Sequence, residues 1–146
     1  MRSLTSGCPA LKELHIEYCH GISALYIESL TLKTLKLKLN VESSSMSQSS
    51  VFIKGPTLRC LHMKEHVEHY AICDMSALME AKLDIFVDEN ELQVLSKMSS
   101  VKNLCLKTHV TSSVLSAAFL DVFTILTFGN LIFLELNVQC AFCACF

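Results

Sequence analysis

The chain has 146 residues, a formal net charge of −2 and 51% hydrophobic residues, enough for one domain to bury its own core. That charge balance, with no basic stripe along the sequence, argues against nucleic acid as a partner. Eight cysteines scattered among apolar residues, without an export signal, read as free thiols packed as small hydrophobes rather than as a disulfide scaffold.

The opening residues, Met1 to Gly7, reach Pro9 before any apolar run develops, which excludes an ordinary secretion signal and predicts an intracellular protein of the nucleus or cytoplasm. The first predicted element follows at Leu11, Leu14 and Ile16, an apolar triad of the form L-x-x-L-x-L. Ile22 to Glu28 then alternates apolar and polar residues, the signature of a half-buried strand. It lies too close to the next triad to be a full repeat, so it is predicted as a strand on the outer wall of the first repeat. The second triad is Leu32, Leu35 and Leu37. After it, the polar stretch Glu42 to Ser50 reads as a flexible loop, and Gly55-Pro56 as a turn leading into the third triad, Leu58, Leu61 and Met63. Leu78, Ala81 and Leu83, then Val101, Leu104 and Leu106, continue the series. Ser112 to Phe123 suits a helix on the outer wall, and Leu131, Leu134 and Leu136 complete six triads.

Val114 to Leu134 is long enough to cross a bilayer, but it contains Asp121, Thr124, Thr127, Gly129 and Asn130. A mid-membrane charge costs about 2.5–3.5 kcal/mol on insertion scales, so the segment is expected to be a buried helix followed by a buried strand, with no membrane partner.

Successive first anchors are 21, 26, 20, 23 and 30 residues apart. Those intervals fall in or beside the range of leucine-rich repeats, and no heptad or helical-pair array produces them. The triad has a physical reason: the two apolar residues flanking a single position lie on the same side of a strand and enter the core, while the residue between them points outward. The predicted fold is therefore α/β: an irregular leucine-rich-repeat solenoid with a parallel concave sheet of about six strands and a mixed strand, helix and loop convex side. Eight positions after each first anchor such repeats favour Asn or Cys, whose side chains satisfy backbone groups where the chain leaves the strand. The positions here hold Cys19, Asn40, His66, Phe86, His109 and Gln139, an uneven ladder that predicts an uneven solenoid.

Four phrases carry a family resemblance: Ser6 to Cys19 (SGCPALKELHIEYC), Gly55 to Leu61 (GPTLRCL), Leu78 to Ile85 (LMEAKLDI) and Asn130 to Leu136 (NLIFLEL). Together they resemble the plant F-box proteins with leucine-rich repeats and, often, a C-terminal FBD region, over about Leu4 to Val138. The resemblance implies a substrate receptor of a ubiquitin ligase of the Skp, cullin and F-box type, in which the F-box docks the adaptor and the repeats hold the substrate. No F-box is expected before Leu4 and no FBD region after Val138, and with them the expectation is recognition of a protein partner without a Skp-type adaptor. Residues 4–138 are expected to form the repeat domain and 139–146 an apolar, Cys-rich tail.

Catalytic and metal chemistry find little support. His62, His66 and His69 would share one face of a helix, but the repeat register puts His62 on a strand, where the three diverge. Cys140, Cys143 and Cys145 form a single C-x-x-C-x-C group, which cannot close a tetrahedral zinc site alone. Nucleophile elbows, phosphate-binding loops, dinucleotide fingerprints and zinc-protease motifs are all missing from the sequence. The expectation is no enzyme, no cofactor and no metal.

The register also predicts which side chains the concave face presents, and Glu13, His15, Glu17, Lys36, Lys38, His62, Lys64, Lys82, Asp84, Lys107 and Glu135 are the candidate partner-binding residues. Lys36, Lys38, Lys64, Lys82 and Lys107 form a band suited to an acidic segment. The competing expectation is an incomplete repeat remnant without independent function. Circular dichroism with size-exclusion chromatography separates the two as a cooperative monomer or soluble aggregates.

Overall fold

The computed structural model describes residues 5–19, 22–39, 50–64, 69–86, 94–110 and 128–140. Through them run β1 (Glu13–Cys19), β2 (Ala24–Glu28), β3 (Thr34–Leu39), β4 (Ser50–Lys54), β5 (Cys60–Lys64), β6 (His69–Cys73), β7 (Glu80–Phe86), β8 (Asn103–Val110) and β9 (Phe133–Cys140). They form two sheets, one in the order β1-β3-β5-β7-β8-β9 and one in the order β2-β4-β6, with every neighbouring pair parallel.

The six strands of the larger sheet are those the triads predict, and their register aligns the triads without slippage. Leu14, Leu35, Leu61, Ala81, Leu104 and Leu134 stand side by side, as do Ile16, Leu37, Met63, Leu83, Leu106 and Leu136. A one-residue slip would turn every apolar side chain outward, so the spacing itself holds the register. The first anchors lie just ahead of the strands, and Leu32, Leu58, Leu78 and Val101 are all buried. Each fully buried leucine contributes about 1.5–3 kcal/mol of hydrophobic stabilisation, which is how strands of five to eight residues hold together.

The expected outer strand is present as β2, with Leu25 and Ile27 turned into the core. It is joined by two strands the sequence reading missed. Val51 and Ile53 of β4 and Ile72 of β6 belong to the same buried core as the inward rows of the larger sheet. Ser50, expected to end the polar loop, opens β4 and pairs with Ala24. Among the described residues the only α-helical segment is 94–96, so parallel strands dominate. The helix expected over Ser112 to Phe123 lies outside the described residues, as do most of the candidate span, His66 and residues 141–146. No helix among the described residues is long and apolar enough to cross a membrane.

Two backbone devices recur at each repeat boundary. A turn closes onto the first anchor: the N–H groups of Leu11, Leu58, Leu78, Val101 and Leu131 donate to the carbonyls of Cys8, Gly55, Met75, Met98 and Phe128 at 3.0–3.1 Å. In the second repeat the Ser29 hydroxyl takes the carbonyl's place and accepts from Leu32 at 3.1 Å. One residue later, the carbonyls of Lys12, Lys33, Arg59, Met79 and Lys102 each accept two N–H groups from the following repeat. Hydroxyls add a further tie, because Thr31 donates to the Leu11 carbonyl and Thr57 to the Leu32 carbonyl, both at 3.0 Å.

The Asn/Cys ladder is less visible. The Cys19 thiol donates to the carbonyl of Glu17 in its own strand at 3.7 Å, and the β1–β3 register shifts between Glu17 and Cys19. The intervening Tyr18 adopts a left-handed φ of 56°, costly for an aromatic residue and typical of a bulge that re-aims the chain. Gln139, at the corresponding place in the last repeat, is exposed.

Candidate functional site

Alternation along each strand sends every second side chain to the outer face of the six-stranded sheet, where the strands enclose a groove of about 420 Å³. Two rows line most of it. His15, Lys36, His62, Lys82, Cys105 and Glu135 stand in register across the sheet, and beside them run Glu17, Lys38, Lys64, Asp84, Lys107 and Asn137. The structure thus brings together every expected partner-binding residue except Glu13, which does not line the groove. Cys105 and Asn137, which the same register turns outward but which are not among the candidate binding residues, also line it.

Cross-strand pairing narrows the lysine band. Lys38 lies 3.0 Å from Glu17 and Lys107 lies 3.6 Å from Asp84, each pair facing directly across neighbouring strands. Glu80 takes both His62 and Lys82 at 3.2 Å. Lys36 and Lys64 make no ion pair with any described residue, so the groove's uncompensated positive charge is centred on β3 and β5. Surface pairs of this kind contribute little stability, but they determine which charges stay available to a partner.

The pairing also moves protonation equilibria. The Glu17 carboxylate accepts from Lys38 and holds that ammonium charged to a higher pH than usual. His62 and then Lys82 donate to Glu80 and lower its carboxyl pKa. Glu80 therefore contributes stability that is fully present above the ordinary carboxylate range of about 4.3 and lost as the pH falls through its lower folded value. Glu80→Gln should flatten the acid side of the stability profile below about pH 4.5, measured as urea midpoints across pH; an unaltered slope would show the pair to be idle. Partial burial, then the Glu135 carboxylate that accepts from the thiol at 3.6 Å, raises the Cys105 pKa and keeps the thiol protonated.

Of the candidate metal groups, His66, Cys143 and Cys145 lie outside the described residues. His62 lies on β5 and His69 opens β6 in the other sheet, and among the described residues no three His, Cys, Asp or Glu side chains cluster as a metal site. What the groove offers is charge, imidazole and amide groups at regular spacing, suited to holding an extended polypeptide by hydrogen bonds and ion pairs.

The sequence is similar to F-box proteins of Arabidopsis thaliana. One F-box/LRR-repeat protein is 29% identical over 119 residues, 73% of this chain and 26% of the relative. A probable F-box protein is 32% identical over 85 residues, 58% of this chain and 25% of the relative. A second F-box/LRR-repeat protein is 29% identical over 86 residues, 56% of this chain and 18% of the relative. The chain thus spans about a quarter of the first two relatives' length. No family model matches it, and neither does any solved structure. The resemblance to plant F-box/LRR proteins is borne out by these relatives, and the parallel-strand solenoid is consistent with it.

Proposed function

We propose that this chain is a non-enzymatic protein–protein interaction module, holding a protein partner in its groove as the substrate-recognition repeats of an F-box ubiquitin-ligase receptor hold theirs. The observation that carries this reading is the convergence of the outward side chains of six parallel strands on one groove. The relatives' names support the family setting.

The partner segment this groove suits carries acidic side chains over β3 and β5, because Lys36 and Lys64 are the groove lysines left without an ion pair among the described residues. Lys82 and Lys107 contribute less, being held by Glu80 and Asp84. The test is a titration of a purified candidate partner against the wild-type chain and the double variant Lys36→Glu/Lys64→Glu. Charge reversal at these two groove positions, Lys36 half-buried and Lys64 exposed, should weaken binding by about tenfold or more at low salt, through faster dissociation. Equal affinity for the two proteins would remove the groove from the account.

A further inference from the structure

The positions one residue after the first anchors stack into a ridge along the rim where the chain enters the six-stranded sheet. Their occupants, in spatial order, are Lys12, Lys33, Arg59, Met79, Lys102 and Ile132, and all are exposed. Their alignment is fixed by the backbone: each of the first five carbonyls accepts the N–H of the next residue in the row, from Lys33 N–H to the Lys12 carbonyl through Ile132 N–H to the Lys102 carbonyl. None of the four cations forms an ion pair with a described residue. Three of them, Lys12, Lys33 and Arg59, are immediate neighbours at a strand spacing of roughly 4.8 Å, and like charges set side by side on a sheet oppose folding. A row of this kind costs stability until an anion meets it.

We infer that this rim is an electrostatic docking ridge for an extended acidic polypeptide segment, separate from the groove and engaged alongside it or by itself. The ridge is one side chain wide and spans roughly 19 Å from Lys12 to Lys102, the reach of about six residues of extended chain. That shape fits a linear polymer rather than the plane of a membrane. Between linear polymers the chemistry favours a polypeptide. Single-stranded nucleic acid is held by basic grooves with aromatic side chains on which bases stack, and phosphates are commonly cradled by free backbone N–H groups. On this ridge no position is aromatic, and from Lys33 to Ile132 the backbone N–H groups are already donated to the preceding repeat. Met79 and Ile132 add apolar contacts that a peptide side chain can use and a phosphate cannot.

The experiment uses the full chain and a fluorescein-labelled octapeptide of alternating glutamate and serine, followed by anisotropy at about 10 mM salt, where screening is weak. Lys33→Glu/Arg59→Glu should lose about tenfold or more in affinity, while Lys33→Arg/Arg59→Lys retains wild-type binding. The difference should vanish near 1 M salt, where the Debye length is about 3 Å. The acidic pair sits between cations and should leave thermal unfolding unchanged or raised, so lost binding cannot be ascribed to misfolding. Equal affinity of the wild type and the acidic pair overturns the ridge. So does a loss confined to Lys36→Glu/Lys64→Glu, which places the peptide in the groove instead. Tighter binding of an oligothymidylate of equal charge, or of vesicles containing anionic lipid, than of the peptide assigns the ridge to nucleic acid or membrane and refutes the inference.

Discussion

Leu61→Ala should remove about 2–5 kcal/mol of stability, a large share of the 5–15 kcal/mol that holds an ordinary domain folded. Leu61 is 0% exposed and stands on the central strand β5, between Leu35 and Ala81 in the same inward row. Val51 and Ile53 of β4, in the other sheet, belong to the same buried cluster, so the core that Leu61 joins draws on both sheets. Its neighbours are backbone-paired strands that cannot collapse inward without breaking the ladder, so truncation leaves a cavity instead of a repacked core. Leu134 provides the control, since it occupies the same row on β9 and is the same residue type but is 41% exposed. Leu134→Ala should cost less than half as much. Urea midpoints with unchanged m-values would report the difference as stability rather than altered compactness. Equal losses at the two positions would mean that burial along the row does not decide the energetics.

The inward rows were legible in the sequence because their physics is local. A strand that packs on one core must place apolar residues two apart, and the preceding anchor must fill the turn, so three positions per repeat report both the element and its register. The outer wall has no such rule. β2 showed in Ile22 to Glu28, whereas the alternation of β4, Ser50-Val51-Phe52-Ile53-Lys54, was masked by the run of serines before it, and His69 to Cys73 offers a single buried anchor, Ile72.

The candidate site divides the same way. Outward positions follow from inward ones, so the groove's residues could be listed from the sequence. Which of its lysines remain unpaired could not, because Glu17 meets Lys38 and Asp84 meets Lys107 only once strands from different repeats are laid in register. The rim cations were invisible for the same reason. Lys12, Lys33, Arg59 and Lys102 are far apart along the chain, and a stripe sought as a sequence run cannot be found when stacking alone creates it. In a solenoid, charge patterns are written at the repeat period, and they become readable only after the anchors have been aligned.

Thr108→Val should make the protein more stable by about 1–3 kcal/mol, against the usual direction of core substitutions. Thr108 lies on β8 with Ile85 and Val138 as its register partners, is 0% exposed, and its Oγ1 has no hydrogen-bond partner among the described residues. A buried hydroxyl without a partner retains the full cost of leaving water, and valine offers nearly the same shape without that cost. Valine also keeps the β-branched form that suits a strand, so the backbone has no reason to move. Thr31 gives the contrast. Its single hydroxyl proton is shared between the carbonyls of Pro9 and Leu11, which lie 2.9 and 3.0 Å from Oγ1, so Thr31→Val should lose about 1 kcal/mol by removing that donor. Opposite shifts of the urea midpoint for one chemical substitution at two strand-associated sites would identify hydroxyl satisfaction, rather than volume or propensity, as the deciding quantity. A lowered midpoint for Thr108→Val would mean that the Oγ1 is satisfied, and that its hydroxyl belongs with the repeat-to-repeat ties of Thr31 and Thr57.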